Sequence, residues 1–187
     1  QNITLSFVGN VYTCFGDNLI SIDQVEEEVK IDLNTVAFGY HIEGFTNDNV
    51  EAVKIVNYEL VPNFQFYLYR NFPNLKYVQI LNSSIESIKK DVFKDLPSLK
   101  VIDLSYNKLT ILLKQYFETN KNLIAVNFEG NLLKNIQSEI FFNNLNLKFA
   151  NFDDNFCVQF NAMENNEIKE LNILFESECS HSKSLSN

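Results

Sequence analysis

With 187 residues, 45% of them hydrophobic, the chain has enough material for one domain with a sizeable core, which excludes bulk disorder. Its formal net charge of −9 argues against nucleic acid as a partner, because a phosphate backbone must be met by Lys and Arg, and against anionic membrane surfaces. No apolar run approaches the ~18–20 residues of a membrane span, so membrane insertion is not expected.

The chain begins with Gln1, as a secreted chain does after signal-peptide removal, although an arbitrary starting point would read the same way. Asn2-Ile3-Thr4 and Asn82-Ser83-Ser84 are acceptor sequons, so Asn2 and Asn82 carry glycans if the chain passes through a secretory pathway. Leu5-Ser6-Phe7-Val8 and Val11-Tyr12-Thr13-Cys14 flank the two-residue loop Gly9-Asn10, a hairpin signal. Gly16-Asp17-Asn18 predicts a second turn and Leu19-Ile20-Ser21-Ile22 a third strand. Residues 1–28 are therefore read as an N-terminal β cap, closed by the solvated turn Glu26-Glu27-Glu28. Residues 29–49 form a degenerate lead-in in which Ile31 and Leu33 alternate as in a strand. Residues 50–74 form a longer, imperfect unit with Val50, Val53, Ile55 and Leu60 in apolar slots and Tyr58 in a polar one.

From there the chain repeats itself every 24 residues. Leu75, Leu99, Leu123 and Leu147 are equally spaced. The second copy reads Leu99-x-x-Ile102-x-Leu104-x-x-Asn107-x-Leu109, and the third Leu123-x-x-Val126-x-Phe128-x-x-Asn131-x-Leu133. This is the leucine-rich-repeat pattern. It predicts an α/β leucine-rich-repeat solenoid over 29–160, with a curved parallel β-sheet on the concave side and short helical or irregular convex segments. In each coil the apolar residues of the strand point inward and the intervening ones line the concave face. Asn107, Asn131 and Asn155, with Ser83 as a weaker substitute, turn the chain out of the strand. Their amides are expected to bond backbone groups there and in the next coil. Ile85, Leu109 and Leu133 fill the next inward layer, then Ile88, Leu112 and Ile136. Phe93, Phe117 and Phe141 share one register and are expected to stack as an aromatic spine. The shortened copy from 147 keeps Ala150, Phe152 and Asn155.

Asn161-Ala162-Met163-Glu164 has the form of a capping box, and Ile168, Leu171, Leu174 and Phe175 follow at helical spacing. Residues 161–179 are read as a helical cap and 180–187 as a frayed tail, all within a single domain. Cys157 sits in a repeat slot and Cys179 follows the cap helix. A bridge between them would staple cap to coil, worth on the order of 3 kcal/mol, and the alternative is two separate buried thiols. Cys14 lies several ~4.8 Å strand spacings away, too far to bridge either, so it is a free cysteine or a handle for another chain.

Three stretches carry a resemblance: Tyr12-Thr13-Cys14; Gly44-Phe45-Thr46-Asn47-Asp48 leading into Val50-Glu51-Ala52-Val53; and Asn155-Phe156-Cys157. On these the chain resembles the small secreted leucine-rich-repeat proteins of insects, and is similar to the repeat domains of mosquito complement-like immune proteins. The resemblance implies an extracellular interaction role in innate immunity. The chain departs from that pattern in lacking a clear second cysteine for Cys14 and in having no coiled-coil tail.

Little in the chain suggests catalysis. His41 and His181 have no matched nucleophile, and no phosphate loop, CxxC or HExxH occurs. Asp153-Asp154-Asn155 resembles a fragment of a calcium loop but lacks its remaining ligands and glycine. No metal, cofactor or enzymatic activity is expected. The concave face is the candidate partner surface, with Tyr77, Gln79, Asp103, Tyr106, Asn127, Glu129, Phe149, Asn151, Asp153 and Asp154 looking out over it. Its aromatic anchors and acidic C-terminal half fit a protein partner with a basic surface. The expected function is extracellular, non-catalytic recognition of a macromolecule by a monomer or weak homo-oligomer. The alternative is a self-associating adhesive or structural extracellular protein.

Overall fold

The computed structural model describes residues 13–17, 46–57, 63–64, 72–162 and 165–179. The expected hairpin around Gly9-Asn10, the strand at 19–22, the acidic turn at 26–28, the Ile31/Leu33 lead-in, Tyr58, Leu60, both histidines, Asn2 and the tail lie outside these residues.

One sheet runs the length of the described solenoid. Its strands are β1 (Thr13–Asp17), β2 (Ala52–Val56), β4 (Tyr77–Leu81), β6 (Val101–Asp103), β8 (Ala125–Asn127), β10 (Phe149–Asn151) and β11 (Asn161–Ala162), hydrogen-bonded in that order. From β1 to β10 every neighbouring pair is parallel and in register, so that Tyr77, Val101, Ala125 and Phe149 form one row. The outer side carries two short parallel pairs, β3 (Asn63–Phe64) with β5 (Ser87–Ile88), and β7 (Ile111–Leu112) with β9 (Asn135–Ile136).

The core follows the repeat. Leu75, Leu99, Leu123 and Leu147, the strand residues Val78, Ile102 and Val126, and the layers Ile85/Leu109/Leu133 and Ile88/Leu112/Ile136 are all buried. The expected phenylalanine spine is present, with Phe117 lying 5.9 Å from Phe93 and 5.7 Å from Phe141, ring centre to ring centre. A second file runs from Phe128 through Phe152, 5.5 Å on, to Phe175, 5.0 Å further.

The Asn slot behaves as a ladder, bonded to the coil before it rather than the one after. Asn107 Oδ1 accepts the Ser83 and Ile85 amides, while its Nδ2 donates to the Ile80, Leu104 and Ser105 carbonyls. Asn131 accepts from Leu109 and donates to Leu104, and Asn155 accepts from Leu133 and donates to Phe128. The direction follows from the turn: the strand leaving each coil exposes amides that only the following coil's side chain reaches. A second buried ladder was not read from sequence. Asn120 Nδ2 donates to Phe93 and Leu96, and Asn144 Nδ2 to Phe117 and Asn120.

Two local readings are corrected. Gly16 and Asp17 do not make a turn but end β1, because a full parallel ladder to Ala52–Val56 outweighs the local turn preference. Asn161 is not a helix cap. It pairs with Asn151 in the antiparallel β11, which fills the otherwise open edge of β10, and Phe160 accepts the Phe152 amide. Helix α1 starts later, at Asn165–Leu174, and widens into a π segment over Phe175–Cys179. It buries Leu171 and Phe175 against the last coil, and the Cys157–Cys179 disulfide holds it there, with Cα atoms 5.1 Å apart.

Candidate functional site

Three successive strands, β6, β8 and β10, end in the same device. Asp103 Oδ1 accepts the Ser105 amide at 3.1 Å, Asn127 Oδ1 that of Glu129 at 3.1 Å, and Asn151 Oδ1 that of Asp153 at 3.0 Å. These are Asx turns, in which a short polar side chain replaces a backbone acceptor two residues on. The next residue then enters the left-handed region: Tyr106 at φ 55°, Gly130 at 65° and Asp154 at 55°, with Asn57 and Asn82 at the same register further up the solenoid. Asn, Gly and Asp tolerate this conformation. Tyr106 is the bulky exception, held there at a cost of roughly 1–3 kcal/mol.

The Asx row corrects an expectation. Gln79, Asp103, Asn127 and Asn151 do not look out over the concave face, since each is at most 5% exposed. Strand spacing presses the row together, and its polar groups bond sideways, with Asp103 engaging the Ser105 hydroxyl, Asn127 and Gln79. Burial pushes the Asp103 carboxyl above its ordinary range, and the hydrogen bonds oppose that shift without cancelling it. An acid whose folded value is raised weighs against the fold when ionised. Asp103 therefore costs stability at neutral pH, and that cost disappears as pH falls from the folded value through the ordinary one.

What faces solvent is the rim beyond this row. Tyr106 is 48% exposed. One side of its ring lies on Gly130, where a Cβ would meet Tyr106 Cδ1 at 2.5 Å. Its hydroxyl donates to Glu129 Oε1, and Glu129 Oε2 accepts from Asn151 Nδ2 at 2.9 Å. The Tyr106 amide donates to the Glu129 carbonyl at 2.8 Å. Tyr106 is thus fixed at both ends: through Ser105 to Asp103 on the backbone side, and through Glu129 on the ring side, with Asn127 bonded to both acids' segments. The hydrogen bond to Glu129 first, then burial, then the charges of Glu129, Asp154 and Asp103, push the phenol up to about 12. A spectrophotometric titration, taken as the difference between wild type and Tyr106→Phe, should show one tyrosine ionising near that pH. In Glu129→Gln the same tyrosine should ionise close to the ordinary value of about 10. An unchanged midpoint would mean the clamp does not exist in solution.

Of the other expected site residues, Asp154 is exposed and Asp153 half-buried beside the rim. Tyr77 and Phe149 are half-buried in one strand row but separated by Val101 and the buried Ala125, so they do not join the Tyr106 cluster. Asn82 is exposed, and its amide donates to Asn57 Oδ1 at 2.7 Å, one coil before Tyr106. The left-handed row was readable in principle, since Asn57, Asn82, Gly130 and Asp154 share one register. Among the described residues no group of His, Cys, Asp and Glu is arranged to hold a metal ion, and no helix is long and apolar enough to cross a membrane.

A family model described as Leucine rich repeat matches residues 73–133. The match runs from just before β4 to the inward Leu133, and with the parallel sheet it makes the fold a leucine-rich-repeat solenoid. No curated protein matches the chain. Domains of this kind generally mediate protein–protein interaction and are non-enzymatic.

Proposed function

We propose that this leucine-rich-repeat solenoid is an extracellular recognition module whose rim, centred on Tyr106, binds a protein with a basic surface. One observation carries the reading: a bulky aromatic residue is held in a strained backbone conformation, clamped by Gly130 and Glu129, and still half exposed. Strain of this kind persists where the surroundings over-determine it, and it clusters at binding sites. A ring fixed before binding loses little side-chain entropy on contact, which suits an interface anchor. Glu129, Asp153 and Asp154 surround it with negative charge, the complement of a basic partner.

The Cys157–Cys179 disulfide favours an oxidising compartment, and the resemblance to secreted insect proteins favours innate immunity as the setting. A glycan on Asn82 would crowd the rim from its N-terminal side and direct a partner toward Glu129 and Asp154.

Charge reversal at Asp103 would bury a lysine and confuse binding with folding, so the test is confined to exposed atoms. Immobilised wild-type chain and the variants Tyr106→Ala and Asp154→Asn are exposed to the extracellular fluid of the source, and captured proteins are read by mass spectrometry. A protein retained by wild type should fall about tenfold or more with Tyr106→Ala, the loss of a hot-spot aromatic. Equal capture by all three chains, with thermal unfolding unchanged, would move the binding surface elsewhere.

A further inference from the structure

Just past the Asn slot each coil leaves one residue pointing outward, and these residues form a column: Lys108, Leu132 and Phe156. The coils hold them side by side, with the Lys108 amide donating to Ile85, Leu132 to Leu109 and Phe156 to Leu133. The solenoid does not need apolar groups here, because the inward slots beside them are already filled by Leu109 and Leu133. The first coil uses a lysine. The next two use Leu132, 39% exposed, and Phe156, 66% exposed. Lys134 Nζ sits 5.1 Å from the centre of the Phe156 ring and fixes it in place. Each coil runs from the concave sheet through the column to the outer strands, so Asp153 and Asp154, just after β10, lie on the concave side and Lys134, just before β9, on the outer side. The strip therefore reads acid, apolar, base across its width.

We infer that this strip docks a second copy of the chain. A strip with that charge order is self-complementary under one of the two-fold rotations that bring the faces together, the one whose axis runs along the column. That rotation sets each copy's acids opposite the other's lysines, Phe156 against Phe156 and Leu132 against Leu132, with the two solenoids side by side and parallel. A two-fold axis across the column would place acid against acid. Such an interface is isologous, as closed dimers require. At physiological salt the Debye length is about 8 Å, so local pairing outweighs the repulsion between two chains of like net charge. The strip is short, and its affinity belongs at the weak end of protein–protein contacts. This surface is independent of the Tyr106 rim, although the two meet at Asp154, so self-docking and partner binding compete there.

The test is sedimentation velocity of the full chain carrying Cys14→Ser, which removes any cysteine-linked dimer, at concentrations up to about 200 μM in ~0.15 M salt. A reversible dimer is expected. Phe156→Asp should weaken it about tenfold or more while circular dichroism shows the fold intact. Lys134→Glu and the double variant Asp153→Lys/Asp154→Lys should each be monomeric alone, since one puts acids on both sides of the Leu132–Phe156 pair and the other puts bases on both. Mixed in equal amounts they should form a dimer again. A monomer at every concentration, a dimer indifferent to Phe156, or a charge-swapped mixture that stays monomeric would each overturn the inference. None of these outcomes depends on the rim partner, so this inference and the proposed function fail separately.

Discussion

Phe117→Ala should remove about 3–5 kcal/mol of stability, enough to unfold much of the protein at modest urea concentrations. Phe117 is fully buried and touches four aromatic rings: Phe93 and Phe141 stacked on either side, Phe128 tilted against it at 5.9 Å, and Tyr116 edge-on at 6.2 Å. It links the two phenylalanine files through Phe128, as Phe141 does one coil on through Phe152 at 6.3 Å. Truncation leaves a cavity whose walls belong to three successive coils, and each is held in place by its own ladder of backbone and Asn hydrogen bonds. The site cannot collapse to fill the gap, and a rigid cavity puts the cost at the upper end of the range. Phe117→Leu keeps most of the volume and should cost about 1.5 kcal/mol or less. Urea unfolding monitored by circular dichroism measures both. A loss for Phe117→Ala below about 1 kcal/mol would mean that the spine is not close-packed.

The spine was legible in the sequence because a 24-residue period fixes which residues point inward, and so were the Asn turns and the cysteine pair. Exposure was less legible than direction. Asp103, Asn127 and Asn151 point outward from the sheet, as alternation dictates, yet they are closed off, because neighbouring strands bring polar side chains close enough to bond one another. A single strand read alone carries no information about that lateral bonding. The ends depart from their local sequence signals for a related reason. Gly16-Asp17 and Asn161 carry real local signals for a turn and a cap, but each lies beside a strand edge with unpaired amides and carbonyls, and pairing with that edge prevails. The repeat register marks Tyr106 as an exposed aromatic, but not its left-handed backbone. Nothing in a tyrosine suggests it, and it is imposed by the Asx turn before it and the Asn107 ladder after it.

That ladder is the second place where one side chain carries a large share of the fold. Asn107→Leu, nearly equal in size, should cost about 3–6 kcal/mol although it removes no apolar contact. Of the five groups that Asn107 bonds, at least two have other partners: the Leu104 carbonyl also accepts from Asn131 at 2.9 Å, and the Ser105 carbonyl accepts the Asn82 amide at 3.2 Å. The Ser83 amide, the Ile85 amide and the Ile80 carbonyl lose the bonds of 3.0, 3.1 and 2.7 Å that Asn107 supplies. Each buried group left unsatisfied costs about 1–3 kcal/mol, and water cannot reach them through a core this closely filled. Hydrogen exchange separates this cause from a general loosening: the Ser83 and Ile85 amides should exchange far faster in the variant, while the Leu133 amide, held by Asn155, should keep its protection. Loss of protection spread evenly over all coils would instead mean that Asn107 acts only through global stability. The same variant bears on function, because Asn107 follows Tyr106 directly and bonds the Ser105 carbonyl that begins its peptide. With that anchor gone the left-handed turn relaxes, the ring leaves Gly130, and the phenol should ionise nearer its ordinary pH even where the rest of the chain stays folded.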